Sequence, residues 1–160
     1  MPPVTLREIS ADIEPAVLAL RVAPWQEQFV DGVARSLVDA ATHPEGHPWI
    51  RAVLADDVPV GFVMVSWDVV PVPVELWGPF YLWRLLVDER HQGHGYGTAA
   101  LRLVADAARA GGAEVLYTSC GQGPGSPQPF YEALGFVPTG EVDSHGEVHL
   151  SLDLMPKAAG

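Results

Sequence analysis

The sequence predicts a mixed α/β fold, and three observations support this prediction. Residues 81–87 form an apolar run of aromatic and branched side chains, which is typical of a β-strand. A glycine-rich segment follows at residues 92–97, and residues 96–110 then repeat apolar side chains at helical spacing. Apolar runs joined by short polar turns, at residues 49–67 and 136–154, indicate strand hairpins.

The N-terminal part predicts one strand followed by two helices. Polarity alternates over residues 4–9, as in a half-buried strand, and Ser10 offers a capping side chain for a helix over residues 13–20. A second apolar stripe at helical spacing predicts a helix over residues 26–41. The residues of that stripe are Phe29, Val33 and Leu37.

The central part predicts a loop, a hairpin and a second, longer loop. Residues 43–48 are expected to form the first loop. Apolar residues at 49–54 and 58–67 predict two strands that turn at residues 55–57. The proline-rich stretch at residues 68–79 is expected to be irregular and to lie at the surface.

The C-terminal part predicts a strand, a short helix and a closing hairpin. Gly111 and Gly112 are expected to end the preceding helix, and residues 114–119 read as the next strand. Glycine and proline crowd residues 121–129, which predicts a loop before a short helix at residues 130–134. The closing antiparallel strands are expected at residues 136–142 and 147–154.

Length and composition indicate one soluble domain. With 160 residues the chain can bury a core of its own, so residues 1–160 are expected to form a single domain with a loose tail at 156–160. No apolar run approaches the ~20 residues that a membrane span needs, and no signal-peptide pattern is present. The single cysteine, Cys120, excludes an internal disulfide framework and favours the reducing cytoplasm.

The net charge bears on the kind of partner. Nine Lys and Arg residues stand against twenty Asp and Glu residues, which gives a net charge of −11. Nucleic-acid binding needs a basic surface, so this balance argues against it. An acidic protein attracts small cations through its overall field, although acidity also serves solubility. The expected partner is a small cationic molecule, and neither a nucleic acid nor a membrane.

The glycines of residues 92–97 suit a phosphate-binding loop. Glycine lets the backbone approach an anion, and the first N–H groups of the following helix point at it. A dinucleotide fingerprint also fits from Gly95, but five residues separate strand and loop, and Ser119 and Cys120 stand near the position where an acidic residue is expected. No Gly-Lys-Ser/Thr follows, which excludes a P-loop, and a plain turn needs only one glycine.

Three motifs resemble the GNAT superfamily of acetyl-CoA-dependent N-acetyltransferases. The signature Q/R-x-x-G-x-G/A of that superfamily is similar to Gln92-x-x-Gly95-x-Gly97. Its other landmarks are similar to Leu85-Leu86-Val87-Asp88 and to Phe130-Tyr131-Glu132-Ala133-Leu134-Gly135-Phe136, in the usual order and spacing. The resemblance covers nearly the whole chain and looks closest to bacterial diamine and polyamine (spermine/spermidine-type) acetyltransferases. It implies the GNAT fold, a mixed and mostly antiparallel sheet flanked by helices.

The resemblance also implies a binding site for acetyl-CoA. The loop amides would hold the pyrophosphate, and backbone groups of the preceding strand would hold the pantetheine arm. Arg90, His91 and His94 are expected to add positive charge nearby, or to be solvated loop residues. The cofactor-binding residues implied are Leu85, Leu86, Val87, Gln92, Gly93, His94, Gly95, Tyr96, Gly97, Thr98, Gly125 and Ser126.

Tyr131 is the expected catalytic residue. Acetyl transfer from a thioester expels a thiolate, so an acid beside the sulfur assists the reaction. A phenol with a pKa of ~10 carries its proton at neutral pH, and the family places such a tyrosine in this Phe-Tyr pair. The alternative role is that of a core aromatic residue packed on Phe136.

This chain departs from the family in two places, and the first of them leaves the general base open. Where similar polyamine acetyltransferases often carry a carboxylate on the strand before the loop, this chain has Trp83, which is suited to hold a cation over its ring. Pro124 stands where the family usually has an Asn that holds the pantetheine, so the backbone of this loop is expected to take over. The candidate bases are Glu27, Glu75 and Glu141, acting directly or through water, although each also suits a solvated surface.

The sequence thus predicts an enzyme that moves acetyl from acetyl-CoA directly to a primary amine of a small cationic substrate. The alternatives are an acceptor amine on an antibiotic or other natural product, and a non-catalytic CoA-binding sensor. No metal is expected, since the histidine pairs at 43/47 and 145/149 lie in loop or strand context without a further ligand. The oligomeric state stays open, with a homodimer as the commonest arrangement.

Overall fold

The computed structural model describes residues 2–70 and 78–155, and within them seven strands form one sheet. The strands are β1 (Val4–Arg7), β2 (Pro48–Ala55), β3 (Val58–Ser66), β4 (Tyr81–Val87), β5 (Val115–Cys120), β6 (Val137–Val142) and β7 (Val148–Asp153). The α-helices are α1 (Glu14–Leu18), α2 (Val33–Thr42), α3 (Tyr96–Ala110) and α4 (Gln128–Ala133). Short 3₁₀ helices lie at Pro24–Gln26, Pro44–Gly46 and Glu89–His91. The predicted mixed α/β architecture is confirmed.

The sheet is antiparallel except at its centre. The spatial order is β1-β2-β3-β4-β5-β7-β6, and β4 and β5 are the parallel pair. Their pairing covers Tyr81 with Tyr117 and Leu82 with Thr118, and ends there in the described part of the chain. Beyond this point the two strands separate, so a gap opens between them in the middle of the sheet.

A β-bulge in β4 lies at the point where this gap begins. Along the antiparallel β3–β4 pair, Met64 is opposite Arg84 while the next residue, Val65, is opposite Leu82. Trp83 is therefore the extra residue of the bulge. A bulge bends its strand and changes which face the following side chains point to. Here it turns Trp83 and Arg84 toward the α1–α2 side of the sheet.

Each face of the sheet carries its own apolar core. On one face α3 and α4 cover residues such as Leu82, Leu116 and Leu150. On the other face α1 and α2 cover Phe62 and Met64, together with the outer part of the sheet. Strand residues alternate between faces, so β3 contributes to both cores.

The predicted helix at residues 26–41 is wrong over its first half. The segment forms a 3₁₀ helix at Pro24–Gln26 and turns, and α2 begins only at Val33, after Gly32. Gly32 takes an extended conformation with ψ of 174°, which a helix interior does not allow. Phe29 contacts Gly121 across the gap in the sheet instead of lining a helix face. Tertiary packing outweighs the helical spacing at this position.

The other predicted elements are present with shifted bounds. The strand predicted at residues 4–9 ends at Arg7, and the first helix spans only Glu14–Leu18. The helix predicted at residues 130–134 begins at Gln128, because proline is tolerated in the first helical turn. The loop predicted at residues 68–79 lies outside the described residues at 71–77, as does the tail at 156–160.

Asp88, directly after β4, anchors the end of this strand. Its buried carboxylate accepts the backbone N–H groups of Arg21 and Arg90, both at 2.9 Å, and the Arg90 Nε at 2.8 Å. Burial alone would raise the pKa of Asp88, but these hydrogen bonds lower it to about 2. The contact with Arg21 ties the segment after α1 to the start of the glycine loop.

We expect the Asp88→Asn variant to lose about 2 kcal/mol of unfolding free energy at pH 7. Because the carboxyl pKa is lowered in the folded state, this stabilisation is present above about pH 4 and is lost as the pH falls toward about 2. Urea denaturation at several pH values between about 2 and 7 measures both effects. Parallel loss of stability by wild type and variant below pH 4 would show that Asp88 is not its source.

Candidate functional site

The gap between β4 and β5 opens into a cavity of about 560 Å³. Its walls are formed by β4, by the end of β5, by α4 and by the segment between α1 and α2. The sequence-predicted residues that line it are Glu27, Trp83, Leu85, Leu86, Val87, Gln92, Gly97, Gly125 and Tyr131. Residues that are far apart in the chain therefore meet in one cavity.

The glycine loop ends at the N-terminus of α3. Gly95 precedes this helix with φ of 81°, a conformation that strains any side chain. The Ala99 N–H donates to the Gly95 carbonyl at 3.0 Å as the first helical bond. The N–H groups of Tyr96, Gly97 and Thr98 therefore have no partner inside the helix and point out of its end. A 15-residue helix adds a partial positive charge there, so a pyrophosphate fits the chemistry of this end.

Gln92 holds the loop from the inside. Its Nε2 donates to the Val87 carbonyl at 2.9 Å and to Gln26 Oε1 at 2.8 Å. Gln26 Oε1 also accepts the Ala23 N–H at 2.9 Å. The side chain of Gln92 thus connects the end of β4 with the segment between α1 and α2. Its observed contacts position the loop around the cavity.

The basic residues near the glycine loop differ in their contacts and in their exposure. Arg90 is paired with Asp88, with Nε and Oδ1 2.8 Å apart, so its charge is directed to that carboxylate. Gly93, His94 and Gly95 are exposed at the loop surface, and the His94 ring lies 5.6 Å from the Tyr96 ring. The exposed loop leaves room for an anion to approach the start of α3.

Tyr131 is buried and reaches the cavity wall. Only 7% of the residue is exposed, and its ring packs edge-on against Phe130 and Phe136, with centroids 5.3 and 5.5 Å away. Burial raises the pKa of Tyr131 above its usual value, so the phenol keeps its proton at neutral pH. Tyr131 packs on Phe136, as one interpretation of the sequence expected, and it also lines the cavity.

The proline-rich loop before α4 closes one side of the cavity. Gly125 has φ of 83°, and a Cβ there would lie 2.9 Å from the Trp25 ring, so this position requires glycine. The Ser126 hydroxyl lies 2.5 Å from the Gly121 carbonyl and accepts the Gln128 N–H at 3.2 Å. Its bonds hold the loop and the start of α4, whereas Gly125 faces the cavity.

Two of the four residues that the sequence predicts for the acceptor side line the cavity. Glu27 and Trp83 line the cavity, and the Trp83 ring lies 5.6 Å from the Arg84 guanidinium. Glu141 is exposed on β6 and is not among the residues that line the cavity. Glu75 lies outside the described residues.

The polar residues of the cavity that the sequence did not predict include Asp31, Tyr81, Ser119 and Glu147. The Tyr81 hydroxyl is hydrogen-bonded to Ser119 Oγ, which donates to Glu147 Oε1 at 3.0 Å. Glu147 follows the turn that the sequence predicted at residues 143–146. Only the pairing of β5 with its neighbours reveals that it faces the cavity.

The cavity is predominantly acidic. Its carboxylates are Glu27, Asp31, Asp143 and Glu147, and its strongly basic residue is Arg84. The Arg84 Nη2 donates to Asp31 at 2.9 Å and to Asp39 at 2.8 Å, so two carboxylates offset this one charge. Such a field favours a cation over an anion as the second ligand.

Among the described residues, no group of three or more His, Cys, Asp or Glu side chains is arranged to hold a metal ion. Within residues 2–70 and 78–155, no helix has the length and apolar character needed to cross a membrane.

The sequence matches a known family. The sequence model of the acetyltransferase (GNAT) family matches residues 14–136, which include the glycine loop, Tyr131 and the strands around the cavity. No curated protein is significantly similar to the chain in sequence.

Solved structures share the fold at low sequence identity. An acetyltransferase from Thermus thermophilus is 21% identical with a TM-score of 0.68, and the match covers 94% of this chain and 96% of that one. An aminoglycoside 6'-N-acetyltransferase complexed with coenzyme A is 15% identical with a TM-score of 0.69, covering 97% and 98%. The PaiA N-acetyltransferase of Thermoplasma acidophilum, in complex with coenzyme A, is 11% identical with a TM-score of 0.67, covering 94% and 99%. At these identities the likeness shows the fold alone.

Proposed function

Because the chain belongs to the acetyltransferase (GNAT) family, we propose that it transfers the acetyl group of acetyl-CoA directly to a primary amine of a small cationic molecule, such as a di- or polyamine. The chain is thus an N-acetyltransferase, and the finer proposal concerns its acceptor and the residues that act on it. The observation that carries the proposal is one cavity that joins the start of α3, Tyr131 and a set of carboxylates.

The start of α3 is the proposed anchor for acetyl-CoA. Its three free N–H groups and the open surface at Gly93 and Gly95 suit a pyrophosphate. The edge of β4 beyond Leu82 is not paired with β5 in the described part of the chain, so its backbone groups are available to the pantetheine arm. Bound in this way, acetyl-CoA supplies an activated acyl group between the two strands.

Tyr131 is the proposed general acid. It holds its proton because it is buried, and it lines the cavity from the α3–α4 side of the sheet. A proton delivered from its hydroxyl to the sulfur assists departure of the thiol. The proposed transfer is direct, without a covalent acyl-enzyme.

The acidic wall is the proposed acceptor site. Glu27 and Asp31 lie on the segment between α1 and α2, Asp143 and Glu147 lie between β6 and β7, and all four line the cavity. Carboxylates from two separate parts of the chain suit a molecule that carries positive charge at more than one point. The Trp83 ring, which also lines the cavity, suits contact with a cation or an alkyl chain.

Titration calorimetry with acetyl-CoA, followed by a screen of amines for CoA release, tests the proposal. We expect acetyl-CoA to bind. We also expect simple diamines to be acetylated more efficiently than amines of the same length that carry no charge at neutral pH. Binding without release of CoA on any amine would favour the CoA-binding sensor. Failure to bind acetyl-CoA would contradict the proposal as a whole.

A natural-product amine is the second candidate acceptor. A neighbouring depression of about 320 Å³ shares Val22, Glu27, Val30, Asp31 and Leu86 with the main cavity, so a larger molecule has room to extend there. Two of the structurally similar proteins are named as aminoglycoside 6'-acetyltransferases, whose substrates are also amines. The screen therefore includes an aminoglycoside, and acetylation of it in preference to diamines would favour this candidate.

We also propose that the chain acts as a single domain in the cytoplasm. The proposal is supported by the lone cysteine, which is buried and free.

A further inference from the structure

Hydrogen bonds join three side chains that line the cavity, Tyr81, Ser119 and Glu147. The Ser119 Oγ donates its proton to Glu147 Oε1 at 3.0 Å. Because that proton is used, the hydrogen bond between Tyr81 and Ser119 has Tyr81 as its donor. The two hydrogen bonds therefore run in one direction: Tyr81 donates to Ser119, and Ser119 donates to the carboxylate of Glu147.

These three hydrogen-bonded side chains lie on the face of the sheet opposite Tyr131. Leu82 and Cys120 belong to the core that Tyr131 shares with α3 and α4. Side chains alternate along a strand, so Tyr81 and Ser119, which neighbour them, point to the α1–α2 face. Glu27 and Asp31 approach the cavity from that same face. An amine bound there contacts Tyr81 on one side of the gap, and Tyr131 lies on the other side.

We propose that Tyr81, Ser119 and Glu147 form the proton relay that deprotonates the acceptor ammonium. The inference rests on the proposed function and supplies the base that the sequence left open. One proton passes from the ammonium nitrogen to the Tyr81 oxygen, the Tyr81 proton passes to Ser119, and the Ser119 proton passes to Glu147. Tyr81 and Ser119 are neutral before and after the step, and the carboxylate of Glu147 becomes a carboxylic acid.

The remaining atoms and protons balance. The freed electron pair on nitrogen forms the bond to the acetyl carbon as the carbon–sulfur bond breaks, and the sulfur takes the proton of Tyr131. A second proton leaves the nitrogen as the amide forms, and this proton restores the hydroxyl of Tyr131. Glu147 is half-buried and releases its proton to solvent, so one proton leaves overall.

The surroundings favour neutral hydroxyls and a rigid carboxylate. Burial raises the pKa of Tyr81, so its hydroxyl passes protons on and does not ionise. Asp143 Oδ1 accepts the N–H groups of His145 at 2.8 Å and Glu147 at 3.1 Å, which fixes the turn that carries Glu147. The titratable and charged groups on the relay's side of the sheet are Arg84 from β4, Asp143 and His145 from the turn after β6, His149 from β7, and Glu27 and Asp31 from the segment between α1 and α2. Cys120 from β5 and Tyr131 from α4 belong to the core on the opposite face.

The pH dependence of the Glu147→Gln variant tests the relay, with 1,4-diaminobutane as a strongly basic acceptor and methoxyamine as an acceptor that is already neutral at pH 7. Glutamine keeps the size and an oxygen that accepts the Ser119 hydroxyl, but it cannot take up the proton. We expect kcat/KM for 1,4-diaminobutane to fall about tenfold at pH 7, and the loss to shrink as the pH rises and the amine loses its proton unaided. With methoxyamine the variant should equal the wild type.

Three further variants separate a relay from a structural role. Ser119→Ala interrupts the chain and should reproduce the pH profile of Glu147→Gln, whereas Ser119→Thr keeps the hydroxyl and should restore the wild-type profile. The exposed Glu114, at the other end of β5, provides the matched control Glu114→Gln, which should leave both profiles unchanged. Acetyl-CoA affinity, measured by calorimetry, should be the same in all of them.

The possible failures are distinguishable. If Glu147→Gln and Ser119→Ala both keep the wild-type pH profile with 1,4-diaminobutane, the relay is overturned while the proposed function stands. If both variants lose activity equally with the two acceptors, the residues are structural and the relay is also overturned. If the wild type releases CoA with no amine at all, the proposed function fails first and the relay fails with it.

Discussion

The Tyr131→Phe variant is expected to lower kcat by about 10²- to 10³-fold, the size of effect that removal of a general acid produces. The change deletes one oxygen and leaves the ring, so the edge-on contacts with Phe130 and Phe136 remain. Because only the departure of the sulfur loses its proton donor, acetyl-CoA should still bind with nearly wild-type affinity. Steady-state kinetics and calorimetric titration measure the two effects separately.

A second tyrosine provides the control for this variant. Tyr117 lies on β5, fourteen positions before Tyr131 in the chain, and does not belong to the residues that line the cavity. Tyr117→Phe removes the same oxygen and should leave kcat within about twofold of wild type, because Tyr117 does not line the cavity. Wild-type turnover in Tyr131→Phe would remove Tyr131 from the mechanism, and loss of acetyl-CoA binding would assign it a binding role instead.

The Gly95→Asp variant is expected to weaken acetyl-CoA binding by about 100-fold. Aspartate tolerates the left-handed conformation of Gly95 better than most residues, so the loop should keep its shape. Its carboxylate would lie beside the free N–H groups of α3, where it competes with the pyrophosphate for them and repels it. Two like charges about 4 Å apart near a protein surface interact by about 4 kcal/mol, so even a partly screened pair gives an effect of this size.

Two matched variants separate charge from strain. Gly95→Asn has nearly the same shape without the charge and should lose much less affinity than Gly95→Asp. Gly112 has φ of 98° and open space around it at the other end of α3, so Gly112→Asp tests the cost of the substitution away from the loop. Equal losses in Gly95→Asp and Gly95→Asn would show that strain, and not the anion site, accounts for the effect.

Local sequence carried the information for the proposed acetyl-CoA side of the cavity. The glycine loop could be predicted because its requirements are local: glycines for backbone conformation, and a helix that begins directly after them. Gly95 and the start of α3 are found where the pattern indicated. Tyr131 was found by its place in a short motif, and its burial against Phe136 accompanies that motif.

The acceptor side could not be predicted in the same way, because its residues meet only through long-range pairing. Tyr81 comes from β4, Ser119 from β5 and Glu147 from the turn before β7, and nothing in their immediate neighbours marks them as partners. The sequence predicted Glu141 as a candidate base and not Glu147, but Glu141 lies on the exposed strand β6, whereas Glu147 precedes β7, next to β5. A difference of six residues at a hairpin decides which carboxylate faces the cavity.

The segment between α1 and α2 shows the same limit. Its apolar spacing predicted a continuous helix, yet Trp25 and Phe29 pack across the gap onto Gly125 and Gly121, and the helix starts only after Gly32. Contacts with a loop nearly 100 residues away outweigh a local preference worth less than about 1 kcal/mol per residue.

The sequence by itself determined the fold class, the family and the position of the glycine loop, since periodicity, glycine placement and short motifs are properties of neighbouring residues. Only the tertiary structure decided the shape and charge of the cavity between β4 and β5. The bulge at Trp83 and the end of β4–β5 pairing open the sheet, and the carboxylates that line the opening arrive from separate parts of the chain. The physical reason is that a cavity between strands depends on register, and one residue of register turns every side chain to the other face.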